Sequence, residues 1–188
     1  MRVIAGEARS VPLVTPEGED TRPTQDRIKE TLFNMIQMQV PGSIFIDLYS
    51  GSGSIGVEAI SRGAAHAYFV DRGVKPISCI TANVHKCHFD DKATIIKKDV
   101  SIALRSIHEK EADIIYIDPP YDGGLYEHTL RTLYSMPYVS EYTMIICEAD
   151  INEDFSFAEG LGYEITREKL YKNNKHVFLK KRNINRAL

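Results

Sequence analysis

From residue 44 onward, short apolar runs alternate with longer stretches whose apolar positions recur at helical spacing. The runs at 44–48, 66–71, 94–98, 113–118 and 143–148 read as strands, and β-like runs at 163–170 and 176–180 follow. Between them, 54–62, 74–87, 101–107 and 125–135 read as helices. Gly63 stops the first, and the second turns Ile77, Ile80 and Val84 inward. Ahead of these lies "TRPTQDRIKETLFNMIQMQV", with Thr24 placed as N-cap and Ile28, Leu32, Met35, Ile36 and Val40 on one face. Pro41 and Gly42 close that helix. Residues 2–14 are β-like around a turn at Gly6, and 15–20 are a polar loop. Alternating strands and helices predict a parallel sheet covered on both faces. The last two strands lack a helix between them, which predicts a hairpin and an antiparallel final strand.

Composition narrows the class. The 188 residues suit one domain, with 1–22 as an extension and 23–188 as the core. Apolar content of 43% and charged content of 26% exclude a disordered chain. No segment has the run of about 18 apolar residues that a membrane span needs, and "MRVIAGEARS" has no signal-peptide apolar region, so a cytoplasmic location is expected. Cys79, Cys87 and Cys147 show no paired spacing, and "HKCH" at 85–88 matches no zinc pattern, so neither disulfide nor metal is expected. Net charge is −3, yet residues 167–188 hold eight Lys/Arg against the single acid Glu168. That tail reads either as a nucleic-acid-facing zone or as a solvated, lysine-protected edge strand.

In such folds ligands lie beyond the carboxyl ends of the strands. Four predicted strands end at or beside an acid: Asp47, Asp71, Asp99 and Asp118. After the first comes "GSGSIG", residues 51–56, a G-x-G-x-x-G opening a helix. There a nucleotide-like ligand can press against backbone, and Asp71, twenty residues past Gly51, is spaced to accept from two ribose hydroxyls. The bland alternative is a tight turn with a capping acid. A dinucleotide brings a pyrophosphate, which Asp47 just before the loop would repel; S-adenosylmethionine brings an ammonium, which it would suit. Asp99 and the Val100 backbone are placed for an adenine edge.

The fourth strand ends in "YIDPPYDGG". Two prolines stop the ladder and hold Asp118, the Pro119 carbonyl and Tyr121 together. An exocyclic base amine is a poor nucleophile because its lone pair is delocalised into the ring. Acceptors for both N–H groups draw the nitrogen towards tetrahedral, and an aromatic face holds a base out of its stack. The alternative for this turn is a rigid surface corner.

At these residues the chain resembles the bacterial 16S ribosomal RNA guanine-N2 methyltransferases, of the small-subunit rRNA methyltransferase D type. "TRPTQDRIKETLFNMI", "DLYSGSGSIGVEAISRGA" and "IDPPY" are similar to that family's helix, cofactor loop and catalytic turn, with Tyr49 and Ser50 where phenylalanine and alanine are usual. The resemblance spans nearly the whole chain. It implies a Rossmann-like class I methyltransferase: a seven-stranded, mostly parallel sheet with an antiparallel last strand, plus an N-terminal β-hairpin and helix. It implies S-adenosyl-L-methionine as cofactor and 16S rRNA, free or in an assembling small subunit, as substrate of a monomeric enzyme. By resemblance Asp47, Ser50, Gly51, Gly53, Asp71, Asp99 and Val100 bind cofactor, and Asp118, Pro119 and Tyr121 handle the base. Arg9, Arg22, Thr24, Lys180, Lys181 and Arg182 are the residues expected on RNA. Two rivals stay open: a DNA adenine or cytosine amine methyltransferase, which shares the DPPY turn, and a dinucleotide-binding module.

Overall fold

The structure is a computed structural model that describes residues 1–16, 23–120 and 124–183, and only the backbone of residues 23 and 24. Seven strands form one sheet: β1 (Ile44–Leu48), β2 (His66–Asp71), β3 (Ala93–Lys97), β4 (Ile114–Ile117), β5 (Met144–Asp150), β6 (Tyr163–Leu170) and β7 (Asn174–Lys181). Their order is β3-β2-β1-β4-β5-β7-β6. The β1–β5 pairings are parallel, and β7 runs antiparallel to both β5 and β6. The expected closing hairpin is therefore present, with its second strand inserted between β5 and β6. Strand order reverses between β1 and β4, which makes that junction the switch point.

The helices are α1 (Pro23–Met35), α2 (Ser54–Ser61), α3 (Val74–Lys86), α4 (Val100–Leu104), α5 (Leu125–Tyr134) and the short α6 (Phe157–Gly160). Strand side chains alternate between two cores. Ile46, Leu48, Ile115 and Ile117 pack with Leu104 and Leu130 on one face. Phe45, Ile114 and Tyr116 pack with Leu32, Val57 and Ile80 on the other. The central strands are apolar on both faces because both are covered.

The first helix departs from its sequence pattern. It ends at Met35, although the apolar spacing runs on to Val40. Pro41 disfavours helical geometry in the residue before it, and its ring opposes the carbonyl four residues back. The chain instead turns, with Gln39 N–H on the Ile36 carbonyl and Ser43 N–H on the Val40 carbonyl, so Ile36 and Val40 are still buried. Thr24 falls inside the first turn and not at the N-cap, because Pro23, with its preset φ, occupies the start. Leu32, Phe33 and Ile36 are the face that the helix region buries.

The N-terminal hairpin is a loose one. Val3 N–H reaches the Val11 carbonyl and Ser10 N–H the Val3 carbonyl, but only Arg2 and Pro12 form a bridge. Glu58 on α2 holds it down. This fully buried carboxylate accepts from Ile4 N–H at 2.8 Å and Ala5 N–H at 3.1 Å, and meets Arg62 at 2.7 Å and Lys29 at 3.6 Å. Lys29 donates in turn to the Arg2 carbonyl at 2.7 Å. Burial lowers the Lys29 pKa, with Glu58 opposing the shift.

Candidate active site

The glycine loop and the DPPY turn meet at the switch point. Leu48 pairs with Ile117, and Asp118 N–H faces the Leu48 carbonyl at 3.5 Å. The two motifs, almost seventy residues apart in sequence, thus leave adjacent strands side by side.

Within the loop the glycines do different work. Gly56 is where α2 touches β2: a Cβ there would lie 2.3 Å from the Phe69 ring. Gly53 has φ 76° and precedes α2, and a Cβ would press on Ile80 at 3.1 Å. Gly51 also has positive φ, but a Cβ on it would meet nothing within 4 Å. The open side of the loop is therefore at Gly51, where a ligand can approach backbone.

The acids divide likewise. Asp71, at the end of β2, accepts from Gly51 N–H at 3.1 Å and from Gly73 N–H at 2.8 Å. Each oxygen keeps capacity for a further donor, as a ribose diol would require. Asp99 caps α4 through Ser101 N–H at 3.0 Å and Oγ at 2.7 Å; those bonds lower its pKa, and it stays exposed. Asp47 is different. It lies 2% exposed beneath the loop and accepts from Gly56 N–H at 3.0 Å. Burial pushes its pKa well up, against the pull of that hydrogen bond.

Two loop side chains are already committed. Ser50 Oγ donates to the Asp47 carbonyl at 2.6 Å and accepts from Val70 N–H at 2.9 Å, and Ser50 N–H donates to the Val70 carbonyl at 3.0 Å, so it staples β1 to β2. The Val100 side chain is buried in the α4/α5 core. Tyr49, at φ 60°, bonds Thr129 Oγ1 on α5 at 2.8 Å and anchors the loop from its far side.

On the α1 face, a cleft is lined by Gln25, Lys29, Tyr116, Asp118, Glu148 and His176, among others. Pro119 is buried behind Asp118, which is exposed. Tyr121, Arg22 and the Thr24 side chain lie outside the described residues. Glu148 was not singled out from the sequence, yet it closes the apolar run read at 143–148, and β5 continues past it to Asp150. Its Oε2 is bonded by Tyr116 Oη and faces His176 Nε2 at 3.3 Å; its Oε1 accepts from Asn174 Nδ2 at 2.8 Å. Tyr171 Oη lies 3.0 Å from His176 Nδ1. Burial alone would raise the Glu148 pKa, but the hydrogen bonds from His176, Tyr116 and Asn174 bring it below the usual value.

Among the described residues, Arg9 is not brought together with Lys180, Lys181 and Arg182. Arg9 is exposed in a groove with Arg2 and Arg27, interleaved with Asp26 and Glu30. Lys180 and Lys181 end β7, which runs opposite to β5, so they lie at the far end of the sheet from Asp118. Lys181 reaches the Val139 carbonyl at 3.1 Å and sits 4.6 Å over the Tyr134 ring; Arg182 pairs with Glu159 at 2.6 Å. Among the described residues of the basic tail, Lys181 and Arg182 have local partners and lie away from the rim. Among the described residues no group of His, Cys, Asp and Glu is arranged to hold a metal, and no helix is long and apolar enough to cross a membrane.

Known proteins resemble this chain along most of its length. "Putative rRNA methyltransferase YlbH" of Bacillus subtilis is 37% identical over 147 residues, 77% of each chain. Ribosomal RNA small subunit methyltransferase D of Escherichia coli is 28% identical over 172 residues, 90% of this chain and 84% of that one. A solved structure of yhhF from Escherichia coli superposes with a TM-score of 0.80 at 24% identity, covering 96% and 97% of the two chains, and so shares the fold. The family described as conserved hypothetical protein 95 matches residues 1–180. The chain therefore belongs to that family, and the resemblance of its motifs to the small-subunit rRNA methyltransferase D type is borne out.

Proposed function

We propose that this protein methylates the exocyclic N2 amine of a guanine in small-subunit ribosomal RNA, using S-adenosylmethionine. The observation that carries the reading is the meeting of the open glycine loop and the DPPY turn at the strand-order switch. The relatives' names support an rRNA substrate and methyl transfer.

The residues present fit the cofactor. Asp71 holds the ribose hydroxyls while bracing Gly51, and Asp99 with the Val100 backbone meets the adenine edge. Asp47 lies beneath the loop, where an incoming ammonium would favour its charged form over the neutral one that burial favours. When bound, S-adenosylmethionine supplies a methyl group on a positively charged sulfur. No metal is needed for that transfer.

The protein's own part is to prepare the amine. Asp118 accepts one N2–H and the Pro119 carbonyl the other, and the nitrogen lone pair leaves conjugation with the ring. Tyr121 stacks on the base. The new N–C bond forms as the S–C bond breaks, its electron pair goes to sulfur, and the amine proton leaves afterwards to water. No strong general base is needed before attack.

The test is single-turnover methyl transfer to small-subunit RNA, with the product mapped by mass. Asp118→Ala is expected to abolish turnover while cofactor still binds, because its bond strengthens in the transition state. Near-normal turnover by that variant, or methyl groups found elsewhere than on a guanine amine, would refute the reading.

A further inference from the structure

Glu148 has no part in the scheme above, yet it is the most elaborately held acid at the rim. It follows Cys147 on β5, which pairs with Ile117 on β4, so Glu148 and Asp118 stand side by side just past a register pair. Both line the same cleft. Neighbouring strands stand about 4.8 Å apart, a span that one base edge can bridge.

Among the described residues, Glu148 faces three donors: Tyr116 Oη, His176 Nε2 and Asn174 Nδ2. Tyr171 Oη lies against the other ring nitrogen of His176 at 3.0 Å, and when it donates there, Nε2 carries the proton towards Glu148. A carboxylate accepts about four hydrogen bonds, so one site remains on Oε1. The side chain is 24% exposed, while His176 behind it is fully buried. The network thus fixes an acceptor that opens into the cleft.

Two carboxylates side by side ask for two adjacent donor groups. Among the four bases only guanine offers them on one edge, at N1–H and the N2 amine. Adenine and cytosine place a ring lone pair beside their amine, and uracil flanks its N–H with carbonyls. We propose that Glu148 accepts the N1–H of the target guanine while Asp118 holds the N2 amine, and so selects guanine over bases that share the amine alone. This inference rests on the function proposed above.

The probe that separates the two carboxylates is 2,6-diaminopurine, which keeps the 2-amine but has a lone pair at N1. Once the modified guanine is mapped, a 16S rRNA can be built with 2,6-diaminopurine at that position and assembled with ribosomal proteins. The wild-type enzyme is expected to methylate guanine at least about 10-fold faster than the analogue, as one well-placed base contact allows. Glu148→Gln, whose amide can donate to that N1, is expected to narrow the ratio to within a few-fold, with cofactor affinity unchanged. Equal rates on both substrates by the wild-type enzyme would overturn the proposal without any variant. A Glu148→Gln enzyme that binds cofactor and keeps the wild-type ratio would also overturn it. Failure of the wild-type enzyme to methylate the guanine substrate is a separate result, and it refutes the underlying function.

Discussion

Asp47 and Asp71 lie on neighbouring strands, yet they respond differently to substitution. Asp71→Ala removes the acceptor for Gly51 and Gly73 N–H and the proposed ribose contact. It is expected to weaken S-adenosylmethionine by about 1.5–3 kcal/mol, measured by calorimetry. Asp47→Asn keeps an acceptor for Gly56 but carries no charge. Because the Asp47 pKa is raised in the folded state, the carboxyl stabilises the fold relative to its ionised form at low pH, and that advantage is lost as pH rises. Above about pH 4 the unfolded carboxyl ionises. Asp47→Asn should therefore match the wild type in acid and be equally or more stable at neutral pH, while binding cofactor less tightly. Melting curves across pH and a binding isotherm check both halves. The sequence showed these acids at strand ends but could not rank them. Depth depends on how α2 seats over β1, and strand spacing does not encode that. It also passed over Glu148, because the three residues that hold it come from β4 and β7, distant in sequence.

At the level of elements, α2 and β2 meet in a close joint under the site. Gly56→Ala would set a methyl 2.3 Å from the Phe69 ring. Overpacking of this kind costs about 1–3 kcal/mol, and Phe69→Leu in the same chain should recover part of it. Chemical denaturation of the two variants is the measurement. The order of helices and strands was legible because hydrophobic period is a local property, and β2 and β6 match their predicted bounds. The end of α1 was not, because Ile36 and Val40 are buried through a turn whose apolar spacing imitates a helix. The place of β7 inside the sheet was equally hidden, since a hairpin read from sequence does not say which strand pairs with the older sheet.

For the molecule as a whole, Glu58 joins parts distant in sequence: the hairpin, α1 and α2 all end on it. Glu58→Gln would deprive the buried Lys29 of its ion-pair partner, leaving only the weaker pull of Asp26. A loss of about 3–5 kcal/mol is expected from breaking such a pair, with early loss of exchange protection at Ile4 and Ala5. The basic residues differ in their surroundings, Arg9 lying in an open groove and Lys181 and Arg182 held by local partners, and this makes a further prediction. Arg9→Ala should reduce the salt slope of RNA binding by about one, as loss of a phosphate contact does. Replacing Lys181 and Arg182 by alanine should leave that slope unchanged. The strand order has a consequence for the chain while it is being made. Because β7 lies between β5 and β6, β6 emerges with no neighbour to pair with and must wait for the strand that follows. Its exposed Glu164, Arg167 and Glu168 suit that interval, because a charged edge does not recruit strands from other nascent chains.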